Sequence, residues 1–334
     1  MLNKLINLNV LKYVCIDGDA THQELNFGAL LEPKLRKVFY ETYDELPEQF
    51  SKIFHVNTSK KAKETDYGLG AMTPWTEFGS STTAVTGAGV KMPEVPYEVI
   101  DSGLERTYVH KEFAKGFKVE RKFVDDEMYK VIEKLPKDLA RAGRYKVETD
   151  GASILNNAFS GSGYDAKPLI SATHPLLNTT VSTVHGTGVS SNLVTGVLSD
   201  ATLKTALQIG RKQYDEAGKL IQYKFDTLVV PPALEFVAYE LIRSSQKVGT
   251  ANNDINSLQG RLTVVVDDFL TSDTAWFLMD SKRHQLNWFW RVKPEFKREE
   301  DFNTLVQQYR GYMRYSFGYS DYRGIIGSTG IVTP

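Results

Sequence analysis

Residues able to do chemistry are few and scattered in this chain. Histidine occurs at His22, His55, His110, His174, His185 and His284. Only His174 and His185 share a region, and their separation matches no usual metal-ligand spacing. His174, standing before Pro175, reads better as part of a turn. Cys15 is the only cysteine. It excludes an intrachain disulfide and a cysteine-based zinc site, and it suits a reducing compartment. Gly161-Ser162-Gly163 resembles a phosphate cradle in composition, but it follows a predicted helix and precedes a loop. A cradle needs the opposite order, so the tripeptide reads as a helix stop. P-loop, HExxH, GxSxG and dinucleotide patterns are missing. We therefore assign no catalytic, cofactor-binding or metal residues, expect no cofactor, and do not read the chain as an enzyme.

One segment could bind nucleic acid. Arg310-Gly311-Tyr312-Met313-Arg314-Tyr315-Ser316-Phe317 echoes the basic-Gly-aromatic strand on which RNA bases stack. Its fifth position should carry a stacking ring and carries Arg314 instead. A packed sheet face explains the aromatics better. Charge points the same way: 40 Lys and Arg against 41 Asp and Glu leave no basic excess for a dedicated DNA reader. Weak contact with nucleic acid through a local patch stays open.

The elements that must position these residues follow from periodicity. At 334 residues, 41% hydrophobic and 24% charged, the chain can bury a large core. No apolar stretch approaches the ~20 residues of a membrane span, and Met1 to Val14 lacks the form of a signal peptide. We expect a soluble protein that is not exported. Leu30, Leu31, Leu35, Val38 and Phe39 make one apolar stripe on a helix that Pro47 ends. That stripe fits packing on the chain's own core, and an arm lying on another subunit is the alternative. From Phe78 to Val90 the chain has no charge and is punctuated by Gly79, Gly87 and Gly89. Such a stretch is a surface loop, or a long hairpin needing another surface to lie on.

Phe117, Val119, Arg121 and Phe123 alternate as a half-buried strand. Asp125 to Phe159 predicts a short helix, a break, and a second helix of ~23 residues spanning about 35 Å, with Pro136 at its first position. Lys146 and Asp150 stand i,i+4 on it. Ser199 or Asp200 caps a further helix that Gly218 ends. Thr227–Val230, Leu262–Val266 and Trp276–Met279 read as strands, and Leu234–Ser244 as an amphipathic helix. Trp288, Trp290 and Val292 alternate along one late strand. Met313, Tyr315, Phe317 and Tyr319 share a face of another, with Lys297–Asp301 as a charged connection between the two. Helices and sheets without strict alternation predict an α+β fold.

Six segments in order carry a resemblance to a known family: Leu46–Phe50 with Ile53–Lys61, Lys134–Arg141 through Leu155–Phe159, Ser171–Leu176, Leu228–Phe236, Gly249–Asn256, and Met313–Gly324. Together they resemble the major capsid proteins of tailed bacteriophages, in the Mu-like major head subunit (gpT) family. The resemblance implies the tailed-phage (HK-ninety-seven-like) capsid fold. Its parts would be an N-terminal arm at 1–60, an extended loop at 67–115, a peripheral domain at 116–164 and 281–320, and an axial domain at 165–280 and 321–334. A long spine helix and a sheet would build the peripheral domain.

The function implied is a virion shell of hexameric and pentameric capsomers of this chain, closing as an icosahedron around double-stranded DNA held non-specifically. Assembly would occur in the bacterial host cytoplasm, without a membrane. Because the chain begins almost at the arm, a separate scaffolding protein or prior trimming is expected, with a portal and an opening for decoration proteins. Lys91 lies in the loop, but its surroundings match no cross-linking motif, so no cross-link is expected. Two rivals remain: an encapsulin-like nanocompartment of the same fold, and a hydrolase with a hidden nucleophile.

Overall fold

The computed structural model describes residues 27–69, 72, 75, 97, 102–120, 122–123, 126, 129–175, 189–215, 219–247, 254–301 and 306–331. The expected arm up to residue 26 lies outside these, as does the loop between 70 and 101 apart from three positions. Cys15, His22, Lys91 and His185 also lie outside them.

Helix α1 (Phe27–Glu45) stops just before Pro47, whose ring disfavours helix at the residue ahead of it. Leu35, Phe39 and Tyr43 recur at four-residue spacing and are buried. Their cover is the chain's own α3 and main sheet, through Leu139, Ala140, Phe296 and Tyr309. A 3-10 turn (Phe50–Lys52) leads to β1 (His55–Thr58), β2 (Lys63–Leu69), β3 (Ser102–Val109) and β4 (Lys111–Glu120). The expected loop range 67–115 therefore overlaps a paired strand at each end. The predicted strand through Phe123 stops at Glu120, and Phe123 is exposed.

The break ahead of the long helix is present: α2 (Tyr129–Ile132) is followed by α3 (Lys134–Asn156). Pro136 is its third residue rather than its first, still within the turn whose N–H groups lack intrahelical acceptors. Lys146 and Asp150 pair at 2.7 Å. Strands β5 (His174–Pro175) and β6 (Val189–Ser190) pair briefly. Helix α4 (Asp200–Arg211) starts with a capping box: Ser199 Oγ accepts the Thr202 N–H at 3.3 Å, and Thr202 Oγ1 accepts the Ser199 N–H at 3.0 Å. It ends at Arg211, before the predicted stop at Gly218, because the chain doubles back and Tyr214 bridges to Leu220.

The remaining elements are β7 (Thr227–Val230), α5 (Glu235–Arg243), β8 (Thr263–Val266), β9 (Trp276–Met279), β10 (Leu286–Asp301), β11 (Val306–Tyr319) and β12 (Ile325–Ser328). The main sheet runs β1-β10-β11-β4, and the second runs β12-β9-β7-β8. Strand β1 joins β10 in parallel, with Val56 opposite Trp288. Lys297–Asp301 is not a connection, as expected from its charge, but part of β10 paired with Val306–Arg310. Charges are tolerated there because the exposed face of a half-buried strand takes them. Between Trp290 and Phe296, β10 advances six residues while β11 advances four, from Tyr315 to Gly311. The two extra residues preserve the alternation, so Phe296 is buried again.

Strands β7, β9 and β12 are buried along their whole length, because the second sheet is covered on both sides. Val229, Phe277, Met279 and Ile325 face one core with Trp288 and Tyr315. Leu228, Val230, Trp276, Leu278 and Ile326 face the other, under α4 and α5. Near-continuous apolar runs are what such a position requires. Helix α3 joins the assembly by placing Leu139 and Ala140 in one cluster, and Val147 and Leu155 in another.

Candidate interaction surfaces

The groups singled out for chemistry are built into the interior. His174 is fully buried, in a short strand rather than a turn. Its Nδ1 lies 2.6 Å from the Asp165 carboxylate and its Nε2 lies 3.2 Å from Asn192 Oδ1. The ring stacks on Tyr322 with centroids 3.6 Å apart. Asn192 is held in turn: its amide donates to the carbonyls of Leu169 at 2.8 Å and Ile325 at 3.2 Å. No face of the imidazole is open to a substrate, so the network ties the loop after α3 to the turn before β12.

His55 and His284 come from distant parts of the chain and stack at 4.0 Å. Gly161–Gly163 follows α3, and the Gly163 N–H donates to the Lys167 carbonyl at 2.6 Å, which closes the loop on itself. Among the described residues no group of three or more His, Cys, Asp or Glu is placed to hold a metal ion. No helix among them is long and apolar enough to cross a membrane.

The nucleic-acid alternative depended on exposed rings along β11. Of the motif's rings, Tyr315 is instead buried, and Tyr312 and Phe317 are half-buried. Tyr315 stacks on Trp288 at 4.6 Å and on Phe113 at 4.7 Å, and its hydroxyl donates to Asp150 of α3 at 2.7 Å. These contacts hold the sheet on the long helix.

Among the described residues, exposed contact surface includes three places. Strands β2 and β3 form a two-stranded ribbon with Lys63 opposite Val109 and Tyr67 opposite Glu105. Directly opposed residues share a face, so Tyr67 and Val109 lie together on the outer one, each about two-thirds exposed. The inner face carries Tyr108, buried against the main sheet. On α5, Phe236 and Val237 are exposed, and Ile255 follows in the next loop. Third, a cleft of about 960 Å³ runs between α1, α3 and the main sheet, with Phe39, Phe113, Leu139 and Met313 in its wall.

Gln49 and Phe50 are anchored beside this cleft. Both donate backbone N–H groups to the buried Glu148 carboxylate, Phe50 at 2.9 Å, and Arg144 lies 3.2 Å from the same group. Sequence reading found neither Glu148 nor the parallel pairing of β1. A single Glu on a helix and a four-residue strand give no periodic signal. The ordered aromatics of β10 and β11 were legible because alternation is visible residue by residue.

The sequence model of a family described as phage capsid protein matches residues 104–328, about two thirds of the chain. No curated protein matches it. Among solved structures, the capsid of cyanophage P-SCSP1u is similar at 12% identity and a TM-score of 0.50, covering 84% of this chain and 86% of that one. The procapsid of bacteriophage JBD30 is similar at 15% identity and a TM-score of 0.49, covering 92% and 76%. A virus-like particle from Pyrococcus furiosus is similar at 10% identity and a TM-score of 0.48, covering 89% and 98%.

Proposed function

The chain belongs to the phage capsid protein family, and from that premise we propose that it is the major head subunit of a tailed bacteriophage, of the Mu-like (gpT) kind. Copies of the chain associate as hexamers and pentamers and close an icosahedral shell in the host cytoplasm, enclosing double-stranded DNA. The observation that carries this reading is the ribbon β2–β3. It leaves the main sheet with Tyr67 and Val109 bare on its outer face, and its strands lead into and out of residues 70–101.

An isolated two-stranded ribbon is marginal in water, and a neighbouring subunit supplies the missing cover. Each contact is modest at ~25 cal/mol per Å² of apolar surface, but repetition around a shell sums them. The proposed division is an arm (1–60), an extended loop (67–115), a peripheral domain (116–164 with 281–320) and an axial domain (165–280 with 321–334), although β1 falls in the arm range and the first half of β4 in the loop range. The main sheet and α3 would be peripheral, and β7–β9 with β12 axial. A separate scaffolding protein, a portal and non-specific contact with DNA complete the proposal. The matched family favours this reading over a cellular compartment. Electron microscopy of the purified chain under assembly conditions should show closed shells. Monomers or dimers alone under all conditions would overturn the proposal.

A further inference from the structure

His110 is the single residue between β3, in the ribbon, and β4, in the main sheet. It is only 5% exposed. Its Nδ1 lies 3.0 Å from the Ser316 hydroxyl, and its Nε2 is buried with no hydrogen-bond partner among the described residues. A neutral ring fits this setting. With its proton on Nδ1, donated to Ser316 Oγ, it buries only a bare lone pair at Nε2. An imidazolium does not fit, because its second N–H would be a charged donor with no acceptor.

Of the surrounding charges, two act in the same sense and one against it. Arg314 of β11 and Arg291 of β10 oppose a positive ring, while Glu64 of β2 favours one. Glu112 of β4 lies 3.5 Å from Arg314, and Glu64 is engaged by Ser59 and by Lys61 at 3.3 Å. Burial first, and then Arg314, holds His110 below the ordinary histidine range.

The contacts that seat the ribbon lie beside this residue. The Tyr108 hydroxyl hydrogen-bonds Ser320, and the Tyr108 ring packs 5.3 Å from that of Phe289. Gly318 makes room for that ring, since a Cβ there would sit 2.9 Å from it. Arg106 lies over Tyr319 at 5.7 Å. We propose that His110 is a proton-operated latch, which seats the β2–β3 ribbon on the main sheet when neutral and frees it to swing about residues 109–111 when protonated.

Freeing the ribbon returns His110 to water, where its pKa approaches the ordinary value near 6.5. The seated form titrates lower. Protons therefore favour the freed form as pH falls below about 6.5, and the bias saturates once the seated form also protonates. In a shell, which rests on the capsid reading above, acid would loosen the base of the loop that covers a neighbour.

The test uses hydrogen exchange of residues 102–109 in unassembled chains, corrected for the intrinsic rate, at about pH 7.5 and about pH 5.5. Protection should fall in acid, by up to roughly tenfold for a ring that titrates near 6.5 only in the freed form, and by more than any fall in β7 and β9. His110→Gln, which stays neutral, should abolish the difference, and Arg314→Gln should reduce it. Unchanged protection in the wild type, or an equal fall in His110→Gln, overturns the latch. Should His110→Gln not fold, an undiminished fall in Arg314→Gln overturns it. Because the measurement is made without shells, its result is independent of whether the chain forms them.

Discussion

His284 shows how burial sets chemistry one residue at a time. Its Nδ1 accepts the Leu286 N–H at 3.2 Å, so the folded ring is neutral on that side. Burial first, and then the stacked His55, pushes its pKa down to about 4, against the opposing pull of Asp226. The unfolded chain takes up a proton near pH 6.5, and the folded chain takes it up only near 4. The stabilisation is therefore fully present above pH 6.5 and is lost as pH falls from there to about 4, a loss of about 3 kcal/mol. Urea unfolding of unassembled chains at neutral and acid pH should show this slope, and His284→Gln should flatten that part of it. Acidic side chains contribute their own slope in the same range, so the difference between wild type and variant is the quantity to compare. Nothing in the sequence pairs His55 with His284, since 228 residues separate them. The parallel docking of β1 brings them together.

Among elements, α4 separates propensity from packing. A glycine inside a helix costs about 1 kcal/mol relative to alanine, which alone would make Gly210→Ala stabilising. Gly210 is buried, however, and a Cβ there would lie 2.1 Å from the Phe225 ring. Forcing the ring aside costs about 1–3 kcal/mol and outweighs the helix gain. Gly210→Ala should lower the thermal midpoint, and an unchanged or raised midpoint would contradict this packing. The presence of α4 was readable from Ser199 and the spacing of Leu203 and Leu207. Its end was not, because the return of the chain from Tyr214 to Leu220 depends on a pairing rather than on a stop residue. The same limit applies to β10, where charge suggested a connection and pairing with Val306–Arg310 made a strand.

At the scale of the molecule, the capsid reading depends on surfaces that the chain does not cover itself. Tyr67→Asp places a charge on the outer face of the ribbon, where nothing described packs. Folding should be nearly unaffected, within about 0.5 kcal/mol, as for exposed substitutions generally. Assembly should be impaired, because the charge would have to be buried at the subunit contact. Circular dichroism and sedimentation together check this, and a variant that forms shells with normal yield would remove the ribbon from the contact.

The sequence alone determined the α+β class, the long helix, the aromatic strands, the apolar strands of the second sheet and the family resemblance. Each of these is carried by local periodicity or by an ordered set of short segments. Tertiary structure decided which apolar stripe met which. It placed Leu35, Phe39 and Tyr43 on the chain's own α3, turned Tyr309, Tyr315 and Tyr319 of β11 inward, and left Tyr67 and Val109 uncovered. It also set the buried polar groups, Asp165 with His174, Glu148 with Phe50, and His110 with Ser316. Their partners lie far away or on separate elements, and a hydrogen bond between single residues leaves no repeat in a sequence.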